Sequence, residues 1–124
     1  MSLSKSYFDR YSSLYGEIKK SCDRLSALQS TYDKKVSSIY HQIEGQEFGI
    51  SDGYRLAREL KHVLQERRII KDELIKVRSI YSLLEKQTPK INEHYGRAER
   101  KSYELRQELN TTLSAEDVLA DLMN

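Results

Sequence analysis

The chain has 124 residues, 32% of them charged and 38% hydrophobic, with 21 Lys and Arg against 19 Asp and Glu and a net charge of +2. This length suits one domain and is too short for two ordinary ones. No apolar run approaches the roughly 20 residues that span a bilayer, and residues 1–5 lack the apolar core of a signal peptide. We therefore expect a cytoplasmic protein. Its single cysteine excludes an internal disulfide framework and a cysteine-based zinc site.

Apolar residues at the start of the chain recur at spacings of three and four, which predicts one amphipathic helix over about residues 3–44. The predicted inward row of this helix is Tyr7, Tyr11, Leu14, Ile18, Leu25, Leu28, Tyr32, Val36, Ile39 and Ile43, with Ser21 as the one gap. From Leu25 onward its members repeat every eleven residues. An eleven-residue repeat relaxes the left-handed supercoil of a heptad, so we expect a nearly straight helix.

The turn residues that follow this helix are concentrated in residues 45–53. Three glycines within these nine positions would each weaken a helix by roughly 1 kcal/mol. We therefore predict a loop over residues 45–53. Ser51 or Asp52 is expected to cap the next helix by accepting backbone N–H bonds.

The second predicted helix, over about residues 54–110, has a four-three alternation of inward positions that is typical of a coiled coil. Its inward row is Leu56, Leu60, Val63, Arg67, Ile70, Leu74, Val77, Tyr81 and Leu84. Only Arg67 interrupts the apolar row. Either its guanidinium pairs with a carboxylate and fixes the register, or it is an exposed anchor for an acidic partner. Apolar residues beside the row predict a further helical surface, from this chain or from a second copy.

Pro89 leaves two all-α architectures open. Thr88-Pro89 resembles an N-cap followed by proline in the first helical turn, which would begin a third helix and give a three-helix bundle with a break at Pro89. The four-three alternation nevertheless continues unshifted through Ile91 and Tyr95 to Leu109. This continuity favours one helix with a kink, which costs about 3 kcal/mol. We predict an elongated antiparallel helical hairpin or coiled coil, with the bundle as the alternative.

A short acidic amphipathic segment over residues 111–124 follows a single predicted coiled-coil domain over residues 1–110. Ser114 and Asp117 resemble a capping box that begins a short C-terminal helix. The apolar face of this helix is Val118, Leu119, Leu122 and Met123. A helix this short is marginal in water unless it docks, so we expect it either to cap the bundle or to bind a partner.

The second helix carries most of the excess positive charge. Residues 54–88 contain nine basic and five acidic residues. One interpretation is a solvated face whose cations pair with carboxylates three and four residues away. The other is a binding surface for phosphates or for an acidic protein. The candidate partner-binding residues on this helix are Arg55, Arg58, Lys61, Arg67, Arg68 and Lys71.

No motif in the sequence indicates catalysis. Glu59 and His62 have the spacing of half a di-iron site, but no second Glu-x-x-His motif completes it. Cys22 lies beside the inward row of the first helix and is expected to be a small buried hydrophobe. The glycines lack the Lys-Ser/Thr pair and the preceding strand of a phosphate-binding loop. We therefore predict a protein that is not an enzyme and has no catalytic residues, no metal and no cofactor.

Residues 58–74 read R-E-L-K-H-V-L-Q-E-R-R-I-I-K-D-E-L and resemble a segment of small helical proteins from phages and prophages of Gram-positive bacteria. Those proteins share a helix, a short loop and an E-R-R-x-x-K-D-E helix. The resemblance covers about residues 36–84 and implies no activity. It implies binding to a host or phage protein, as a modulator or inhibitor, in preference to catalysis.

These features predict a non-enzymatic protein–protein interaction module: a small adaptor, assembly factor or inhibitor that binds a partner protein. We also expect a homo-oligomer, with a dimer favoured, and no membrane partner. The alternative is a nucleic-acid-associated protein that uses the basic face of the second helix. Its sequence pI of about 8.6 lies below the value of about 9 that dedicated nucleic-acid binders exceed.

Overall fold

The computed structural model describes residues 3–109 and 115–123, except for the side chains of Asp121 and Met123. These ranges contain three helices and no strand: α1 (Leu3–Gly45), α2 (Ile50–Leu109) and α3 (Ala115–Met123). The prediction of an all-α helical hairpin with a short C-terminal helix is confirmed. Within the same ranges, no helix is both long and apolar enough to cross a membrane. The predicted capping residue Ser114 lies outside the described residues.

The loop between α1 and α2 is shorter than predicted and ends at Gly49. The Gly53 amide donates to the Gly49 carbonyl at 2.9 Å, so the first turn of α2 already includes Ser51 and Asp52. The predictions of a loop reaching residue 53 and of a cap at either of these residues are therefore wrong. A Cβ atom at Gly53 would lie 3.2 Å from the Phe48 ring. This glycine permits close packing inside a helix and does not form the turn.

The inward face of α1 differs from the predicted one over residues 7–29. The buried and half-buried side chains that continue the heptad spacing are Phe8, Tyr15, Cys22 and Gln29. The predicted members that are instead exposed are Tyr7, Leu14 and Leu28. The predicted eleven-residue repeat is wrong, because seven-residue steps through Gln29 reach Val36 without a shift. Cys22 lies within the inward row and is buried, as its predicted role requires.

The predicted inward row of α2 is confirmed from Leu56 to Tyr95, where every member is buried or half-buried. Together, the inward rows of α1 and α2 form the seam between the two helices. Further along α2 the spacing continues, but the side chains are exposed at Ala98, Ser102, Leu105 and Leu109. The lengths explain this difference: α2 has 60 residues and α1 has 43.

Residues Ile18–Tyr81 form one compact unit, called here the hairpin unit, which contains the loop and the adjoining parts of α1 and α2. Its core is a cluster of Ile39, Leu56 and Val63, against which Tyr32, Val36, Ile43 and Leu60 pack. Cys22 and Leu74 are the other described hydrophobic side chains that are fully buried, and both lie in this unit. Burial of these side chains holds the two helices antiparallel.

Residues Met1–Glu17 and Ser82–Asn124 form a second compact unit, called here the terminal unit. The rings of Phe8 and Tyr95 stack with centroids 4.2 Å apart and with an angle of 14° between their planes. No described side chain of this unit is fully buried. Half-buried aromatic side chains, together with half-buried Leu84 and Ile91, therefore form the contact between α1 and α2 here.

Helix α2 passes through Pro89 without interruption, so the structure has the single-helix arrangement and not the three-helix bundle. Proline has no N–H, which leaves the Glu85 carbonyl without its helical hydrogen bond. Next to it, the Thr88 hydroxyl donates to the Leu84 carbonyl at 2.6 Å, and 2.6 Å also separates the Tyr11 and Thr88 hydroxyl oxygens. Because Thr88 has one hydroxyl hydrogen, Tyr11 is the donor to Thr88. This chain of bonds joins α1 to the turn that contains Pro89.

Replacing Pro89 by alanine tests this continuity. In the interior of a helix, Pro89→Ala restores a backbone donor and removes a steric conflict, so we expect the free energy of unfolding to rise by about 1–3 kcal/mol. Lys90→Ala, at an exposed neighbouring position, serves as the control and should change it by less than about 0.5 kcal/mol. Urea unfolding followed by circular dichroism measures both variants. An unchanged or lower stability of Pro89→Ala would indicate a helix start at this proline.

Candidate partner-binding groove on α2

The predicted partner-binding residues fall into two groups, one in each compact unit. Those in the hairpin unit are Arg55, Arg58, Lys61, Arg67, Arg68 and Lys71. Those in the terminal unit are Val118, Leu119, Leu122 and Met123. The Met123 side chain lies outside the described residues. Each group is therefore described as a candidate surface of its own unit.

Arg67 takes part in the contact between α1 and α2. Its Nε atom lies 2.5 Å from Oδ1 of Asp33, and only 32% of its side chain is exposed. Beside this pair, the Tyr32 hydroxyl donates to the Glu66 carboxylate, and the Lys35 ammonium lies 4.6 Å from the centre of the Tyr32 ring. These contacts favour the interpretation of Arg67 as a residue that fixes the register of the two helices.

The hydrogen bond between Tyr32 and Glu66 shifts the pKa of both groups. Accepting this bond lowers the pKa of the Glu66 carboxyl below its ordinary value; the positive charges of His62 and Lys35 lower it further, while desolvation acts in the opposite direction. The same bond, desolvation and the charge of the carboxylate all raise the pKa of Tyr32. Because the Glu66 pKa is lower in the folded state, this contact stabilises the fold above the ordinary glutamate pKa. That contribution is lost as the pH falls through the lowered pKa.

The other predicted cations of α2 differ in their pairing. Arg55 Nη1 lies 3.6 Å from Oε2 of Glu59, an exposed pair one helical turn apart. Within the described residues no ion pair involves the remaining four cations, Arg58, Lys61, Arg68 and Lys71. The interpretation of a solvated face with interleaved partners thus fits Arg55 and does not fit these four. They form a row of exposed positive charge along α2.

A shallow groove lies beside this row and is called here the α2 groove. One part, of about 380 Å³, is lined by Ala57, Leu60, Lys61, Leu64, Gln65 and Arg68. The adjoining part, of about 540 Å³, is lined by Tyr54, Ala57, Arg58 and Lys61. At 1.5 Å per residue, the lining residues from Tyr54 to Arg68 extend over about 21 Å of α2. Its lining combines apolar side chains with unpaired cations.

The sequence predicts the cations of the α2 groove and, through the apolar residues beside the inward row, one member of its apolar lining, Leu64. Leu60 belongs to the inward row, and it is half-buried there with its remaining surface in the groove. Ala57 and Leu64 are seven residues apart and each immediately follows a member of the inward row. That seven-residue spacing is the signal by which this lining could have been found.

Helix α3 presents an acidic start and an apolar face. Glu116 and Asp117 lie in its first turn, where negative charge is favourable because of the helix dipole. Val118 and Leu122 are 49% and 76% exposed, while Leu119 is half-buried. A helix with an apolar face and acidic residues beside it matches a groove that is lined by apolar side chains and cations.

The Glu59 and His62 motif is not part of a larger cluster of metal ligands. Glu59 pairs with Arg55, and His62 Nε2 contacts the Glu66 carboxylate one turn away. Across residues 3–109 and 115–123, no three His, Cys, Asp or Glu side chains converge as metal ligands would.

Comparisons with protein-family models, with curated proteins and with solved structures give no match for this chain. Arguments about function therefore rest on the geometry and charge of the described residues. Within the described residues, the α2 groove is a feature in which apolar side chains and cations lie together.

Removing the Tyr32 hydroxyl tests the cause of the Glu66 pKa shift. In Tyr32→Phe the carboxylate loses its main hydrogen-bond donor, so the pKa of Glu66 should rise towards its ordinary value. The loss of stability relative to the unmodified chain should be present at pH 7 and should disappear at acidic pH, once Glu66 is protonated. NMR titration of the side-chain carboxyl carbon, with unfolding measured at each pH, gives both quantities. Tyr40→Phe, at an exposed position on α1, is the control and should leave the Glu66 titration unchanged.

Proposed function

We propose that the protein is a non-enzymatic protein–protein interaction module that binds an acidic amphipathic helix of a partner protein in the α2 groove. The observation that carries this proposal is the combination of apolar lining with unpaired cations in one groove. Such a partner helix has leucine-like residues on one face and carboxylates beside that face. It would bury the apolar residues against the apolar lining and pair the carboxylates with the cations. An adaptor, an assembly factor and an inhibitor would all use this same contact.

The two kinds of lining residue have different roles in such a contact. Exposed ion pairs contribute only about 0.2–1 kcal/mol each, so Lys61 and Arg68 mainly select and orient an acidic helix. Affinity comes from desolvating Leu60 and Leu64. Tyr54, which is 69% exposed at one end of the groove, has the size and polarity of a typical binding hot spot.

A nucleic-acid-associated role is the second candidate. It is supported by the row of four unpaired cations, which extends over about 20 Å of helix from Arg58 to Lys71. Contacts to phosphates need such cations but do not need the apolar lining beside them. The chain's net charge of only +2 also favours a protein partner.

Charge reversal in the groove tests the proposal against a matched control. Lys61→Glu with Arg68→Glu reverses two of the three cations that line the groove, while Lys19→Glu with Lys34→Glu makes the same charge change at exposed positions of α1. Each full-length variant serves as bait in nuclease-treated lysate. We expect a stoichiometric protein that is retained by the unmodified chain and by the α1 variant but lost from the α2 variant. Circular dichroism checks that both variants stay helical.

A salt titration separates the two candidate functions. Nucleic-acid binding would weaken steeply between low and physiological salt, because the cations release counterions from the phosphates. Capture of nucleic acid alone, sensitive to the α2 variant and abolished by nuclease, would contradict the proposed protein partner. Leu64→Glu gives a further distinction, since it should abolish binding of an amphipathic helix while leaving phosphate contacts in place.

A further inference from the structure

The last three turns of α2 continue the inward row, and the leucines of that row stay exposed there in the described part of the chain. Residues 98–109, called here the α2 end segment, belong to the terminal unit. The row continues there at Ala98, Ser102, Leu105 and Leu109, and the two leucines are 54% and 63% exposed. These four residues occupy the same heptad positions as the residues of the inward row that pack against α1 between Leu56 and Tyr95.

Among the described residues, α1 and α3 border this segment without burying its leucines. The Phe8 ring stacks on Tyr95, so these two residues lie level with each other. Because α1 and α2 are antiparallel, a residue nearer the N-terminus of α1 lies level with a residue nearer the C-terminus of α2. By this count Leu3, the first described residue of α1, lies level with about residue 100 of α2. A depression of about 480 Å³ lies between the N-terminal turns of α1, the α2 end segment and Ala115 of α3; its lining includes Ser4, Lys5, Ala98, Ser102 and Arg106. The leucines of the end segment are outside this lining and stay exposed.

We propose that a second copy of this chain covers the α2 end segment, with the two segments antiparallel about a twofold axis between residues 103 and 104. Antiparallel heptads then alternate in layers, with Ser102 against the second copy's Leu105 and Ala98 against its Leu109. Each leucine meets a small residue, so the layers are complementary in volume. The seam between α1 and α2 thereby continues across two chains.

The charges beside this row favour an antiparallel pair. In an antiparallel arrangement, Glu99 lies across from Arg106 of the second copy, and Lys101 lies across from its Glu108. Twofold symmetry repeats both contacts, so all four pairings have opposite charges. None of these four residues has an ion pair within the described part of its own chain. A parallel arrangement would instead place Lys101 against Arg106, and like charges would oppose each other twice.

Sedimentation equilibrium of the full chain tests the contact. We expect a reversible dimer with a dissociation constant on the order of micromolar, because the interface is small. Leu105→Glu with Leu109→Glu should weaken it by about a hundredfold or more, since four carboxylates would enter the apolar layers. Leu83→Glu with Ile69→Glu, at exposed positions elsewhere on α2, is the matched control and should retain the dimer.

Charge exchange tests the direction of the pair. Arg106→Glu places like charges against Glu99 of the second copy and should weaken the dimer by about tenfold. Adding Glu99→Arg to this variant restores the opposite charges and should recover the original affinity.

If Arg106→Glu strengthens the dimer, the segments are parallel and the proposal is wrong. A monomer at all concentrations, or a dimer that tolerates the two leucine changes, would also overturn it. These results do not bear on the α2 groove, which lies in the hairpin unit.

Discussion

A single heptad seam between α1 and α2 holds this protein together, and the rest of the structure depends on it. Two helices can bury only one stripe of each other, so few side chains are fully buried, among them Ile39, Leu56 and Leu74. Much of the remaining apolar surface stays in water, as the 70% exposure of Ile69 illustrates. A fold with so thin a core leaves side chains beside the seam available to other molecules. The α2 groove and the α2 end segment are both consequences of this constraint.

Polar contacts across the seam determine which charges remain available. Arg67 is bound to Asp33, and Glu66 accepts the Tyr32 hydroxyl. These pairs can form only when the two helices are in one register, so they select that register among the sliding alternatives of a heptad repeat. The Glu66 carboxylate accepts from Tyr32 and contacts His62, and among the described residues it forms no ion pair with the four cations Arg58, Lys61, Arg68 and Lys71. The positive row beside the α2 groove is thus linked to the same contacts that align the helices.

The sequence was sufficient to predict the helices and the inward row of α2, because long periodic patterns leave little ambiguity. On α1 two rows one residue apart compete, and the apolar Leu14 and Leu28 favour the wrong one. The observed row contains the small Cys22 and the polar Gln29, which a hydrophobicity pattern passes over. Only packing against α2 distinguishes the two rows. The sequence also predicts an uncovered apolar surface beside the inward row of α2, but which of its residues line the α2 groove depends on what the seam leaves exposed.

The reactivity of Cys22 tests the seam most directly. Cys22 is the chain's one cysteine, and it belongs to the observed inward row of α1 but not to the predicted row. In the observed register its thiol is buried at 8% exposure. Labelling with an aromatic disulfide reagent should then be slower in the native protein than in urea by about a hundredfold or more, because reaction requires local opening of the helices. Equal rates in the native and unfolded protein would place Cys22 outside the seam and contradict the heptad register on which the groove and the end segment depend.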